Sequence, residues 1–317
     1  MTRHDDLRLM AKVADMYYQR RLKQSDICRQ LGIHQSTISR LLKRAEIEGI
    51  VQFRLHYPVG FYPELERALE VRFGLAQAIV VDTAESEAQL LPRLGSAAGL
   101  HLASTIKRDD VIGVSSWSSS LLAMVDSMHP IRIHGATVVQ ILGGVGNPAA
   151  EVHATRLTHK TAQVIGGRPV FLPAPGVAAS IDARDALLAD HYVEEAVQLF
   201  GKLTMALVGI GAVEPSPLLI DSGNAFSSLA RDELQKQGAV GDVCLRFFDA
   251  EGLPVVTTLN DRVIGITLEQ LQKVPKVIAV AGGSRKLKAI HAVLKSGLVD
   301  VLVTDSQVAA SIVEEQV

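Results

Sequence analysis

Apolar positions set two different rhythms along this chain. Up to about residue 50 they recur every three to four residues. Leu7, Met10, Ala14 and Tyr17 share one helix face. In QSDICRQLGIHQSTISRLLKRA, Gln24 to Ala45, Ile27, Cys28 and Leu31 share a face of one short helix. Ile38, Leu41 and Leu42 share a face of a second helix that starts near His34-Gln35. Two such faces bury one common seam. The chain must reverse at Gly32-Ile33, where only glycine takes positive φ without cost. EGIVQFRL, residues 48–55, then alternates and predicts a short strand or wing. YPVGFY, residues 57–62, breaks both rhythms and reads as a linker. Leu65, Leu69 and Phe73 predict a connector helix, which either packs on the body or pairs with its copy.

From Ala76 onward the theme is a short apolar run, a turn, then a helix. The runs are AIVV (78–81), DVIGVS (110–115), TVVQIL (137–142), VFLPA (170–174), MALVGI (205–210), VIAVA (277–281) and VDVLVT (299–304). They are rich in β-branched residues and apolar on both faces, which predicts a mainly parallel sheet covered by helices on both sides. Helices are expected over 87–106, 119–127, 152–165, 182–200, 225–236, 285–296 and 306–314. CLRFFDAEGLPVV, 244–256, alternates around a turn and predicts an antiparallel excursion. The fold class is therefore α/β: a three-helix, winged helix-turn-helix head on a larger, mainly parallel domain. The expected divisions are residues 1–56 for the head, 57–75 for linker and connector helix, and 76–317 for the body.

Composition narrows the classes. No apolar run reaches the roughly 18 residues of a membrane span. The start, MTRHDDLRLM, lacks the apolar core of a signal peptide, so a cytoplasmic chain is expected. Cys28 and Cys244, far apart and inside apolar patterns, read as free buried thiols. His153 and His159 miss the i, i+4 spacing of a helical metal site, and no metal or cofactor is expected. Charge is more telling in its distribution. Residues 1–56 carry 11 Lys and Arg against 6 Asp and Glu, on a body that is net acidic. A basic head on an acidic body predicts that the head alone holds nucleic acid. The second helix of the head fits that task. Gln35, Ser36, Thr37 and Ser39 offer short hydrogen-bonding side chains to base edges, and Arg40, Lys43 and Arg44 offer cations to phosphates. Double-stranded DNA is the expected partner.

In open parallel sheets, ligands bind beyond the carboxyl ends of the strands. Those positions here read Ser115-Ser116-Trp117-Ser118-Ser119-Ser120, Gly143-Gly144-Val145-Gly146-Asn147, Pro173-Ala174-Pro175-Gly176, Gly209-Ile210-Gly211 and Gly282-Gly283-Ser284-Arg285-Lys286. Hydroxyls, glycines and cations crowd there and suit a polar small molecule. GGSRK before a helix offers backbone amides, a helix N-terminus and the Lys286 cation to an anion, or else is a plain tight turn. The serines are either ligand contacts or helix caps. Trp117, the single tryptophan, is either core or the flat wall of a sugar pocket. Of the carboxylates near strand ends, Asp221, Asp242 and Asp305, Asp242 is the best placed to accept hydrogen bonds from ligand hydroxyls, and is otherwise a turn residue. Neither GxGxxG nor GxSxG is present, so dinucleotide binding and a nucleophile elbow are not expected.

The helix-turn-helix, VIGVSSWSSSLLAMV (111–125), QILGGVGN (140–147), LPAPGV (172–177), ALVGIG (206–211), GAVGDVCLRFFDAEG (238–252) and VAGGSRKLKAIHAVLKSGLVDVLVTD (280–305) resemble the SorC family of sugar-responsive bacterial transcription regulators. The resemblance spans nearly the whole chain. It implies a DNA-binding head and a Rossmann-like body similar to sugar-phosphate isomerases and glucosamine-6-phosphate deaminase, used for sensing. It also implies a homotetramer and a sugar, polyol or sugar-phosphate effector. By the same resemblance Ser115, Ser116, Trp117, Ser118 and Ser120 form the effector loop. Gly143 and Gly144, from their place at a strand end, are expected to bind the effector too; by the resemblance Asp242 is the acidic partner, and Gly282, Gly283 and Lys286 form the phosphate-side loop. The family often has Gly and Thr where this chain has Ser118 and Ser120, which keeps a hydroxyl but alters pocket size. Some relatives bind sugar aldehydes as a Schiff base. The loops after the second to fifth strands carry no lysine here, so non-covalent binding is expected. The alternatives are a sugar-phosphate isomerase or deaminase with an appended head, for which no paired acid and base is evident, and a DNA-binding protein without effector.

Overall fold

The computed structural model describes residues 3–53, 56–144, 151–215, 220 and 228–314, and the chain divides into two units, Met1–Val59 and Gly60–Val317. The first unit holds α1 (Arg3–Ala14), extended by a π-helical turn over Asp15–Gln19, α2 (Gln24–Leu31) and α3 (Gln35–Ile47). Their apolar faces meet in one core of Met10, Val13, Met16, Ile27, Ile38, Leu41, Leu42 and Ala45. Gly32 ends α2 in the left-handed conformation, φ +65°, and its N–H returns to the Cys28 carbonyl at 2.9 Å. A side chain there would strain the turn that sets α3 against α2.

The expected strand over 48–55 does not form in its described part. Residues 48–51 make turns and bends, and 52–53 are irregular. Glu48 N–H bonds the Arg44 carbonyl at 2.8 Å and Val51 N–H bonds that of Ala45 at 3.0 Å. The chain continues to curl off α3, and these amides are no longer free for a ladder. Residues 54 and 55 lie outside the described residues.

The second unit opens with α4 (Pro63–Phe73), β1 (Gln77–Val81), α5 (Glu87–Thr105), β2 (Val111–Val114), α6 (Ser119–Ser127) and β3 (Thr137–Gln140). Then come α7 (Glu151–Ile165), β4 (Arg168–Val170), α8 (Ile181–Leu188), α9 (His191–Gln198), β5 (Met205–Gly209) and β6 (Gly211–Ala212). The chain closes with α10 (Ser228–Lys236), β7 (Gly241–Val243), β8 (Arg246–Phe248), α11 (Thr258–Arg262), α12 (Leu268–Leu271), β9 (Val277–Val280), α13 (Leu287–Lys295), β10 (Val301–Asp305) and α14 (Ser306–Glu314). Seven strands form one parallel sheet in the order β1-β10-β9-β5-β2-β3-β4. Alternate residues enter two different cores. On β5, Ala206 and Val208 face one, and Met205 and Leu207 the other. On β9, Val277 and Ala279 face the first, and Ile278 and Val280 the second. Burial on both faces is why these strands read as unbroken apolar runs.

Two expected boundaries move. The fourth strand is Arg168–Val170, not 170–174, because Pro173 and the turn after it leave the sheet. The expected helix over 182–200 is two helices. Asp190 starts the second by accepting the N–H groups of Tyr192 and Val193, an N-cap that a continuous helix cannot use. An antiparallel sheet, β6-β7-β8, is present, but only β8 lies within the expected 244–256, and across the expected turn there is a single bridge, Phe248 with Pro254.

Connector helix α4 packs on the body. Its Glu66 and Glu70 carboxylates accept the N–H groups of Val80 and Ala78, each at 3.0 Å, along the outer edge of β1. At the opposite edge, Arg168 N–H points inward to the Ala136 carbonyl at 2.9 Å. By strand alternation the next outward position falls to Pro169, which has no N–H to expose.

Candidate functional site

Strand connections decide where the sheet opens. From β2 the chain runs to β3 and β4 on one side, whereas β5 is followed by strands that lead to β9 on the other. Such a divergence leaves a crevice at the carboxyl ends of the two neighbours. A narrow cleft of about 70 Å³ occupies it. Ser115 to Ser119 form one wall, Gly209 to Ala212 the floor, and Asp242, Cys244, Leu245 and Lys286 the other wall.

The glycines of the floor have a reason. A Cβ on Gly209 would come within 2.5 Å of the Ser118 hydroxyl oxygen, and one on Gly211 within 2.0 Å of Asp242 Oδ1. Ser118 and Asp242 thus lie over the backbone at two positions of one strand end, with buried Ile210 between them.

The serine wall is ordered from within. Ser116 Oγ donates to the Leu142 carbonyl at 2.9 Å and Ser115 Oγ to the Ser116 carbonyl at 3.2 Å. Ser118 caps α6 by accepting the Leu121 N–H at 3.3 Å, so its own proton stays free to donate. Trp117 is buried in a left-handed backbone, φ +55°, and its indole N–H has no hydrogen-bond partner among the described residues. Ser120 is buried within α6 and does not line the cleft.

On the opposite wall, Asp242 Oδ2 accepts the Leu245 N–H at 3.0 Å. Burial pushes this carboxyl up to about 6, against the Leu245 N–H and Lys286, which both favour its charge. The two-residue turn it braces, Cys244-Leu245, has φ +53° and +59°. Such a turn normally falls to Asn-Gly, so side-chain packing holds it here at a backbone cost. Burial raises the Cys244 thiol to about 12, which leaves it protonated. Lys286 is lowered by burial first, with Glu87 opposing. Arg285 reaches from the lip to Glu87 Oε2 at 3.7 Å and to the Glu214 carbonyl at 3.1 Å. Acceptors and donors therefore confront each other across a small space.

A second cleft of about 300 Å³ shares Glu87, Arg285 and Lys286 with the first and takes in residues 83–86, Gly282 and Gly283. The GGSRK turn differs from the expected anion loop. Gly283 N–H is already donated to Asp305 Oδ2 at 2.6 Å, and Asp305 Oδ1 accepts Gln307 and Val308 N–H at 3.1 Å. Asp305 is a buried joint between two strand ends and α14, not a ligand group. Gly143 and Gly144 line neither cleft. Their amides bond Ile264 and Ala174 carbonyls, each at 2.9 Å, and a Cβ on Gly143 would meet the Pro175 carbonyl oxygen at 2.3 Å. Val145, Gly146, Asn147 and Asp221 lie outside the described residues. Spacing alone did not single out Glu87, Ser119, Glu214, Leu245 or the paired role of Gly209 and Gly211. The only available signal was Gly-Ile-Gly at the end of an apolar run. Among the described residues, no three His, Cys, Asp or Glu side chains come together to hold a metal ion.

In the first unit, Gln35, Ser36, Ser39, Arg40 and Lys43 are exposed along α3, and Thr37 is half-buried. Arg44 is not among the free cations. It is ion-paired to Asp6 at 3.2 Å and to Glu48 at 3.3 Å, which ties α3 to α1.

Known proteins align with this arrangement along its length. Residues 57–314 match the family described as "Putative sugar-binding domain", and residues 6–54 match the homeodomain-like domain family. The chain is 32% identical to the deoxyribonucleoside regulator of Bacillus subtilis, over 97% of each protein. It is 31% identical to the sorbitol operon regulator of Klebsiella pneumoniae, over 98% of each. The crystal structure of full-length SorC from Klebsiella pneumoniae superposes with a TM-score of 0.74 at 28% identity, covering 98% of this chain and all of that one. No described helix is long and apolar enough to cross a membrane. A helix-turn-helix unit with an outward polar face, joined to a sugar-binding α/β unit, makes this chain a member of the SorC family of DNA-binding, sugar-responsive transcription regulators.

Proposed function

We propose that a hydroxylated small molecule (a sugar, a polyol or a monophosphate of either) binds in the cleft between the ends of β2 and β5 and sets the affinity of the first unit for an operator. The observation that carries this reading is the pair of polar side chains, Ser118 and Asp242, laid over a floor of two glycines. Asp242 accepts ligand hydroxyls. Ser118 and Ser119 donate to ligand oxygens, assisted by the N-terminus of α6. Lys286 supplies the cation for an anionic substituent. Ser115, Ser116 and Trp117 hold the wall, and Ser120, Gly143, Gly144, Gly282 and Gly283 shape its surroundings without touching ligand. Binding is reversible and non-covalent.

On DNA, Gln35, Ser36, Thr37 and Ser39 meet base edges, and Arg40 and Lys43 meet phosphates. Arg44 positions α3 through Asp6 and Glu48. The regulator works in the cytoplasm as a homo-oligomer, a tetramer by family resemblance. Two or more heads on one duplex offset the modest charge of each, because phosphate contacts add. A thermal-shift screen of sugars, polyols and their phosphates tests the effector. At least one compound should raise the melting temperature in a concentration-dependent way, and a flat screen would sink the proposal. Lys286→Ala should weaken a phosphorylated effector by about 1.5–3 kcal/mol, the scale of a charge-assisted hydrogen bond. An unchanged affinity would remove Lys286 from the site.

A further inference from the structure

The point where the chain enters the second unit is held by a carboxylate one residue before the second cleft's lining begins at Thr83. Tyr62 lies three residues past Val59, the last residue of the first unit. Its hydroxyl donates to Asp82 Oδ1 at 2.5 Å. Gly60, with φ +88°, passes the other oxygen so closely that a Cβ would sit 3.2 Å from Asp82 Oδ2. One carboxylate therefore bonds Tyr62 and lies close beside Gly60.

Asp82 begins the loop between β1 and α5, and its first two residues are bound to neighbouring elements. Thr83 N–H donates to Ser306 Oγ at 3.2 Å. Arg93 donates to the Asp82 and Thr83 carbonyls. The loop ends at Glu87, paired with Arg285 on the lip that the two clefts share. Beyond Tyr62 the grip is stiff, because Glu66 and Glu70 fasten α4 to β1. A charged or hydroxylated molecule that competes for Arg285 or Lys286 must disturb Glu87, and so one end of a loop whose other end holds the chain entry.

We propose that Tyr62 is a positioning residue for ligand-controlled DNA binding. Its bond to Asp82 transmits the state of the 82–87 loop to the segment that carries the first unit. The inference rests on the effector reading for its purpose, though not for its test. A chain of contacts alone does not establish coupling; the two ends must be shown to respond to each other.

Amide hydrogen exchange on the ligand-free full chain supplies that measurement. Tyr62→Phe keeps the ring and removes the hydroxyl. It should speed exchange about tenfold both over 60–69 and over 83–87, while a control segment in β9, 277–280, stays protected. Reciprocally, Glu87→Gln and Arg285→Gln should speed exchange over 60–69, although neither residue touches that segment. If both lip variants leave 60–69 unchanged, or if Tyr62→Phe moves only 60–69, the coupling is refuted. Should a variant also open 277–280, its fold has loosened, and Asp82→Asn takes its place under the same criteria. Exchange coupling with a flat thermal-shift screen would keep the link between Tyr62 and the 82–87 loop and discard its control by a ligand. A positive screen without coupling would do the reverse.

Discussion

Asp242 shows how one residue can be stabilising at one pH and costly at another. Its carboxyl titrates near 6 when folded, above its ordinary value of 3.8. Between those values the folded chain holds more protons than the unfolded one, so stability falls as pH rises from about 4 to about 6 and levels off above. The contribution present below pH 4 is of the order of 3 kcal/mol at most, from about 1.4 kcal/mol per unit. Denaturation midpoints across that range should slope less in Asp242→Asn than in the parent. The same variant should bind an effector more weakly at pH 7. The glycines beside it give a graded comparison. Gly209→Ala meets a serine hydroxyl that can swing aside at the cost of its bond to the Leu121 N–H, whereas Gly211→Ala meets a carboxylate already fixed by Leu245. We expect about 1–3 kcal/mol lost for Gly211→Ala by chemical denaturation, and clearly less for Gly209→Ala. Equal losses would mean that Asp242 moves freely.

At the level of elements, the parallel sheet was legible because each strand is apolar on both faces, and so was the pair of helices around Gly32. What stayed hidden depended on contacts between distant segments. Nothing in the spacing of Glu66 and Glu70 announces that they cap a strand edge. The left-handed Cys244-Leu245 turn carries no turn chemistry, and Gly143 and Gly144 look like ligand glycines although they are packed against a neighbouring loop. Arg246 is a similar case. Its guanidinium donates to the carbonyls of Asn260 at 2.5 Å, Gly265 at 3.2 Å, and Val263 and Ile266 at 3.3 Å, with no carboxylate partner within ion-pair distance among the described residues. It fastens the segment that includes α11 to β8. Arg246→Leu strands buried carbonyls without a donor and should cost about 3–5 kcal/mol in denaturant unfolding. Arg246→Lys, with fewer donors and no planar fork, should recover only part of it.

For the molecule as a whole, the division between a basic head and an acidic body was readable from charge alone, while Arg44 was not. Sequence places it with the phosphate cations, yet Asp6, far away in the chain, claims it. The two arginines should therefore fail differently. Arg40→Ala should weaken operator binding, lower the salt dependence by about one counterion and leave stability unchanged. Arg44→Ala should lower the melting temperature of the first unit and weaken DNA binding only through that loss. Mobility shifts at several salt concentrations, read beside melting curves, separate the two. An Arg44→Ala chain with normal melting and a reduced salt slope would return Arg44 to the DNA.

The carboxylates on the outer amides of β1 and the proline at the outward position of β4 have a consequence for how copies of this chain can meet. Neither margin of the seven-stranded sheet offers a free row of donors on which a foreign strand could zip. Splicing copies of this sheet end to end is closed off, and a partly unfolded chain finds no template there for fibre growth.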